Sequence, residues 1–147
     1  MKNLNLPFFE FKIKKDKNNN IIFDEIRKKW IILTPEEWVR QNFISYIILK
    51  KYPISLINCE KSFFINGNLK RYDIVVYDNK GNIEILVECK SPKVKIKDEH
   101  FDQVMRYNIQ LKSKNIIVTN GLNHFYFQFD KIEEKYIQKN DLLEFQL

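Results

Sequence analysis

Cysteine is scarce in this 147-residue chain, and so are histidine, glycine and proline. The two cysteines, Cys59 and Cys89, have neither metal-ligand spacing nor a CxxC arrangement, so a cysteine-held metal is excluded and Cys89 reads as a small core residue. The two histidines, His100 and His124, lack a ligand partner at helical or hairpin spacing and read as structural. Only 3 glycines and 4 prolines argue against a loop-rich or low-complexity chain. No apolar run reaches transmembrane length, and the N-terminus lacks the apolar core of a signal peptide. These absences lead us to expect a reduced, soluble, cytoplasmic protein with no membrane association.

Aromatic and basic residues are plentiful. Aromatics make up 14% of the chain, and the net charge of +6 is compatible with a polyanionic partner without requiring one. The length suits a single domain with a sizeable core. Neither internal repeats nor a linker interrupt it. The polar patch at 14–20 fits a hairpin turn between strand-like segments at 8–13 and 21–26, with a third at 30–33. Residues 1–33 are thus expected to be a β-rich decoration, and their function is not legible.

The most informative stretch is 72–90, YDIVVYDNKGNIEILVECK. Two β-branched apolar runs flank a turn holding Asn79 and Gly81, the pattern of a β-hairpin. A loop symmetric about Lys80 and Gly81 sets Tyr77 opposite Glu84, Val75 opposite Leu86 and Asp73 opposite Glu88. Alternation puts Ile74, Val76, Ile85, Val87 and Cys89 on an apolar core face. It leaves Asp73, Glu88 and Lys90 together on the polar face. Directly opposed residues have Cβ atoms about 4.5–5.5 Å apart, so the two carboxylates repel unless a cation lies between them. Mg²⁺ accepts one or two carboxylates and a substrate phosphate, and a lysine two residues on can orient or deprotonate a metal-bound water. The pattern therefore looks like a metal-dependent phosphodiester hydrolase. The plainer alternative pairs Glu88 with Lys90 or Arg71 in a solvated salt bridge.

Thr34-Pro35-Glu36-Glu37 reads as a helix start, with Thr34 as N-cap and Glu37 completing a capping box. Val39, Phe43, Tyr46 and Ile47 follow at core spacing, and the helix is expected to end near Tyr52-Pro53. Glu36 either stabilises the first turn or projects toward a site at the end of the sheet. After the hairpin, Lys93 and Lys95 are either a solvated edge or phosphate contacts. Asp98 is expected to cap a second helix over 99–112 that packs through Phe101, Val104, Met105 and Leu111. Gln103 and Tyr107 share one side of it, with Arg106 their neighbour. Strands at 115–119 and 124–129 complete a strand–helix–strand order, hence a mixed α/β sheet.

The order helix, strand, hairpin with D…ExK, helix with QxxxY, strand resembles the PD-(D/E)XK nuclease superfamily. It is most similar to the N-terminal nuclease domain of type I restriction enzyme R subunits. The blocks that carry this are Pro35-Glu36-Glu37-Trp38-Val39-Arg40-Gln41, Arg71-Tyr72-Asp73-Ile74-Val75-Val76-Tyr77-Asp78, Val87-Glu88-Cys89-Lys90-Ser91-Pro92, Gln103-Val104-Met105-Arg106-Tyr107-Asn108 and Val118-Thr119-Asn120-Gly121. The resemblance implies a restriction-endonuclease-like α/β fold, a mixed central sheet flanked by helices. Its core would span 34–130, within one domain that ends in an extension at 131–147. It implies a Mg²⁺-dependent deoxyribonuclease, with Mn²⁺ as a substitute ion. Asp73, Glu88 and the backbone carbonyl of Cys89 would be metal ligands, Lys90 the catalytic lysine, and Gln103 and Glu36 further site residues. Tyr107, Arg106, Lys93, Lys95 and Arg40 would contact nucleic acid. DNA is the implied partner, with RNA open, a protein supplying a motor or specificity allowed for, and a homodimer compatible. One departure stands out: no GxxxxGK[ST] phosphate loop occurs, so the chain carries no ATP-driven motor. The alternative function is a catalytically inactive nucleic-acid-binding or assembly module on the same fold.

Overall fold

The computed structural model describes residues 2–146. Three strands, β1 (Ile13–Asp16), β2 (Asn19–Asp24) and β3 (Lys29–Ile32), form an antiparallel meander ahead of helix α1 (Pro35–Leu49). A 3₁₀ turn at Ile54–Leu56 leads into β4 (Ile57–Ile65), β5 (Asn68–Tyr77) and β6 (Ile83–Cys89). Helix α2 (Asp98–Leu111) crosses over to β7 (Asn115–Thr119), followed by β8 (His124–Asp130) and β9 (Lys135–Lys139). The six strands β4–β9 lie side by side in chain order, antiparallel except for the parallel pair β6–β7. This is the mixed α/β sheet expected, with the N-terminal β-rich element as a separate small sheet.

The apolar face of the hairpin is the main core. Ile74, Val76, Ile85, Val87 and Cys89 are buried against Val39, Phe43 and Ile47 of α1. The opposite face packs on α2: Val75 and Leu86 meet Tyr107 and Leu111, while Ile116 and Val118 meet Phe101, Val104 and Met105. Both faces of β5–β7 are thus covered, which explains why their sequences read as nearly continuous apolar runs. The segment expected as a C-terminal extension joins the fold. It supplies β9, buries Leu142 in the α1 core and ties Asp141 to Tyr46 and Lys50 at 2.5 and 2.9 Å.

Several boundaries differ from those expected. The first strand begins at Ile13 rather than near residue 8, and only Lys17 and Asn18 lie between it and β2. Lysine-rich 13–16 pairs as an exposed strand because its partners Ile21 and Ile22 supply the buried side of the sheet. α1 stops at Leu49, where Lys50 caps it and Lys51 turns to φ +76°. α2 has Lys97 rather than Asp98 as N-cap, with the Lys97 N–H donated to Nδ1 of His100 at 2.9 Å. Around the hairpin loop, Asp78 accepts from Lys80 N–H and Asn82 N–H, both at 2.8 Å. That loop sets Tyr77 opposite Ile83, not Glu84. A bulge at Glu84 restores the register, so Val75 faces Leu86 as expected.

Of the glycines, Gly121 alone is hemmed in. It has φ +85°, and an added Cβ would lie 2.7 Å from Leu4 and 3.1 Å from Val39, whereas Gly67 at φ +79° has open space around it. Gly67→Ala is therefore expected to lose only the left-handed backbone term, about 1 kcal/mol. Gly121→Ala adds a packing clash of about 1–3 kcal/mol. Urea denaturation of the two variants checks the order, and equal losses would contradict it.

Candidate active site

The site lies at the open end of the β5–β6 hairpin. Extending the Val75–Leu86 register by two residues brings Asp73 beside Glu88. Regular pairing fails just there. The β4–β5 ladder joins Cys59 to Ile74 and Lys61 to Tyr72 but skips Glu60 and Asp73, and Glu60 sits at φ +54°. Tyr72 packs with Val75 and Leu86 instead of with Ile74. Alternation therefore breaks at Asp73, and its carboxylate turns toward α1. Strained backbone of this kind costs about 1–3 kcal/mol per residue and persists only where its surroundings hold it.

Charge holds it here. Arg40 donates from one guanidinium nitrogen to Asp73 Oδ1 at 2.7 Å and from the other to Glu37 at 2.8 Å. The second Asp73 oxygen accepts the Cys89 N–H at 2.8 Å. Burial opposes the charge on Arg40, but Glu37 and Asp73 outweigh it and raise its pKa. The nucleic-acid contact expected at Arg40 is thus corrected: the side chain is buried and spent on carboxylates. Glu37 keeps half of the expected capping box. Its amide donates to Thr34 Oγ1 at 3.1 Å, while its carboxylate turns inward to Arg27, Arg40 and Gln41.

Glu88 has the opposite environment. It lines a small cleft, with room for about one water-sized particle, among Lys70, Lys90, His100, Gln103, Val104 and Val118. Among the described residues its buried Oε1 has no hydrogen-bond partner, and the nearest cation, Lys70 Nζ, is 3.8 Å away. Burial first, and Asp73 second, push its pKa up to about 7. Glu36, exposed on the first turn of α1, has a pKa raised by partial burial of its carboxyl and by Asp73, with Arg40 and Lys90 opposing. The structure thus gathers Asp73, Glu88, Lys90, Gln103 and the edge residue Glu36 around one end of the sheet.

Other expected contacts are dispersed. Lys93 and Lys95 are exposed on the loop after Lys90, which Asn120 pins by donating to the Val94 carbonyl at 2.8 Å. Tyr107 is half-buried on the α2 core side, against the cluster of Tyr72 and Leu86. Arg106 is exposed and lines a groove other than the Glu88 cleft, with Ile109, Lys112 and Phe129. His124 is structural as read: Nε2 donates to the Asn5 carbonyl and Nδ1 bonds Thr119 Oγ1, each at 2.7 Å. Lys70 escaped the sequence reading. Its Nζ rests 5.4 Å from the Tyr72 ring centroid and 5.7 Å from that of Tyr107. Its distance from Glu88 in sequence left no local signal.

The donor set can be tested against a metal ion. Among the described residues, no group of three or more His, Cys, Asp or Glu side chains could hold one. A fully protein-built cage of the zinc kind does not fit. A carboxylate with an orphaned buried oxygen, which feels the charge of a second carboxylate on the neighbouring strand, does fit a hard cation that keeps water in its shell.

A mixed sheet with helices on both faces and paired carboxylates plus lysine at one end is compatible with a restriction-endonuclease-like fold. The family described as type I restriction enzyme R protein N terminus matches residues 35–142, and the chain belongs to it. A search of curated proteins found no match.

Glu88 gives a signed pH dependence. Its folded pKa, about 7, lies above the ordinary 4.5. The native state therefore holds a proton that the unfolded chain releases, and stability falls as pH rises between those values. In metal-free protein, Glu88→Gln is expected to be more stable than wild type by about 1–3 kcal/mol at pH 8. The gap should close near pH 4.5, which denaturation in EDTA at both pH values checks. A pH-independent gap would refute this account.

Proposed function

We propose that this domain is a Mg²⁺-dependent deoxyribonuclease that hydrolyses DNA phosphodiester bonds in a restriction or defence setting. The observation that carries the reading is the buried, unpartnered Oε1 of Glu88 beside a second carboxylate, Asp73. Leaving an ionised oxygen buried and unpaired costs several kcal/mol, which a bound cation offsets. Family membership supports the choice of DNA as the substrate.

Asp73, Glu88 and the backbone carbonyl of Cys89 would hold Mg²⁺, or Mn²⁺ on the same oxygen donors. When bound, the ion acidifies a coordinated water and offsets charge on the phosphate. The chain's own residues do the rest. Lys90 shares the cleft with Glu88 and donates to the attacking water or to a phosphate oxygen, whose developing charge it offsets. Gln103 lines the same cleft and orients the nucleophile through its amide. Glu36, at the exposed rim, accepts from an outer water. Lys93 and Lys95 engage backbone phosphates and give affinity without sequence preference.

Supercoiled plasmid incubated with Mg²⁺ or Mn²⁺ should be cut, and EDTA should abolish cutting. Asp73→Ala and Lys90→Ala should each reduce the rate by about 10²-fold or more. DNA binding should weaken steeply as salt rises. Ion affinity should increase as pH rises through about 7, because Glu88 must first lose its proton. DNA binding with no metal-dependent cleavage would instead identify a non-catalytic module, and cleavage of RNA alone would change the substrate.

A further inference from the structure

The meander β1–β3 contributes no side chain to the cleft, yet ion pairs of alternating sign connect it to Asp73. Asp24, fully buried at the end of β2, accepts Arg27 Nε at 2.6 Å and the amides of Ile26 and Arg27 at 2.7 and 3.0 Å. Burial alone would raise its pKa, but the hydrogen bonds and charge of Arg27 lower it, so it is held ionised. Arg27 reaches both oxygens of Glu37 at 3.0–3.1 Å and Glu60 at 3.4 Å. Glu37 passes the chain to Arg40 at 2.8 Å, and Arg40 to Asp73 at 2.7 Å. Gln41 braces the middle, donating to Asp24 and Glu37, each at 3.0 Å.

Two features suggest that this run is aimed at Asp73. Arg40 Nε is buried with no partner among the described residues, a penalty accepted while the other two guanidinium nitrogens reach carboxylates. Glu60, which contacts both arginines, holds its left-handed backbone where the β4–β5 ladder skips it and Asp73.

We propose that the N-terminal sheet is a positioning element for the site. Asp24 and Arg27 fix Glu37, Glu37 fixes Arg40, and Arg40 holds the Asp73 carboxylate in the orientation that also takes the Cys89 N–H. Arg27 and Arg40 are positioning residues and do not touch substrate. The consequence for ion binding rests on the reading of Asp73 as a metal ligand; the orientation of its carboxylate does not.

Two readouts on the whole chain test this: hydrogen exchange of the Cys89 amide by NMR in metal-free protein, and titration with Mn²⁺. Arg27→Met is expected to speed Cys89 exchange about tenfold relative to the Val87 amide in the same strand, and to raise the Mn²⁺ Kd about tenfold. Arg27→Lys, which keeps the charge but not the fork, should fall between it and wild type. Lys28→Ala, which breaks the exposed pair with Glu25 at 3.5 Å, should change neither. If Arg27→Met does not fold, Glu60→Gln replaces it, with a smaller shift in the same direction expected. A folded variant with a lowered Tm but unchanged Cys89 exchange and Mn²⁺ affinity overturns the proposal. Faster Cys89 exchange in a protein that binds no Mn²⁺ even as wild type upholds the positioning and removes the metal reading instead.

Discussion

Taking an ion out of water costs several kcal/mol unless an opposite charge meets it at close range. Beneath α1 this requirement converges on Arg40, whose guanidinium lies between Glu37 and Asp73. Without it, two buried or half-buried carboxylates would face each other, and the interruption of the sheet at Asp73 would lose its counterpart. The helix start, the small N-terminal sheet and the hairpin each contribute one member of this arrangement. The chain's choice of arginine is physical: a planar fork can address two carboxylates at once, which an ammonium group cannot do in fixed geometry.

Asp73 and Glu88 are neighbours with contrasting environments. Asp73 receives an arginine and a backbone amide. Glu88 has only Lys70 at 3.8 Å for its buried oxygen, and its proton affinity rises accordingly. A buried carboxyl with a raised pKa is frequent where chemistry is done, and structural ion-pair networks also perturb titration. Here both occur within one hairpin. The network accounts for Asp73, and the unsatisfied oxygen is what a structural role leaves unexplained.

Much of this was legible in the residues. The β5–β6 hairpin, its apolar face, the strand at 115–119 and the core residues of α1 follow from period and turn chemistry, which are local. At Tyr77 the register departs by one residue from that of a symmetric loop, because a bulge at Glu84 has no composition of its own. Glu60 and Lys70 were not legible, since each meets its partner only through the tertiary fold, and Arg27 pairs locally with Asp24 but reaches Glu37 and Glu60 only there. Arg40 shows the same limit from the other side. Its spacing from Glu36 was visible, but whether a helical arginine points to solvent or beneath the sheet edge depends on which carboxylates the other strands bring there.

The parallel pairing of β6 with β7 through the α2 crossover carries one more consequence, for the order in which the protein assembles. Glu36, Asp73, Glu88 and Gln103 come from four separate elements. Parallel strands cannot pair until the intervening helix has been made and docked, and such long-range closures come late and slowly in folding. A chain cut before α2 therefore lacks Gln103 and the β6–β7 pairing that backs Glu88, although it already holds the hairpin that carries Asp73 and Glu88.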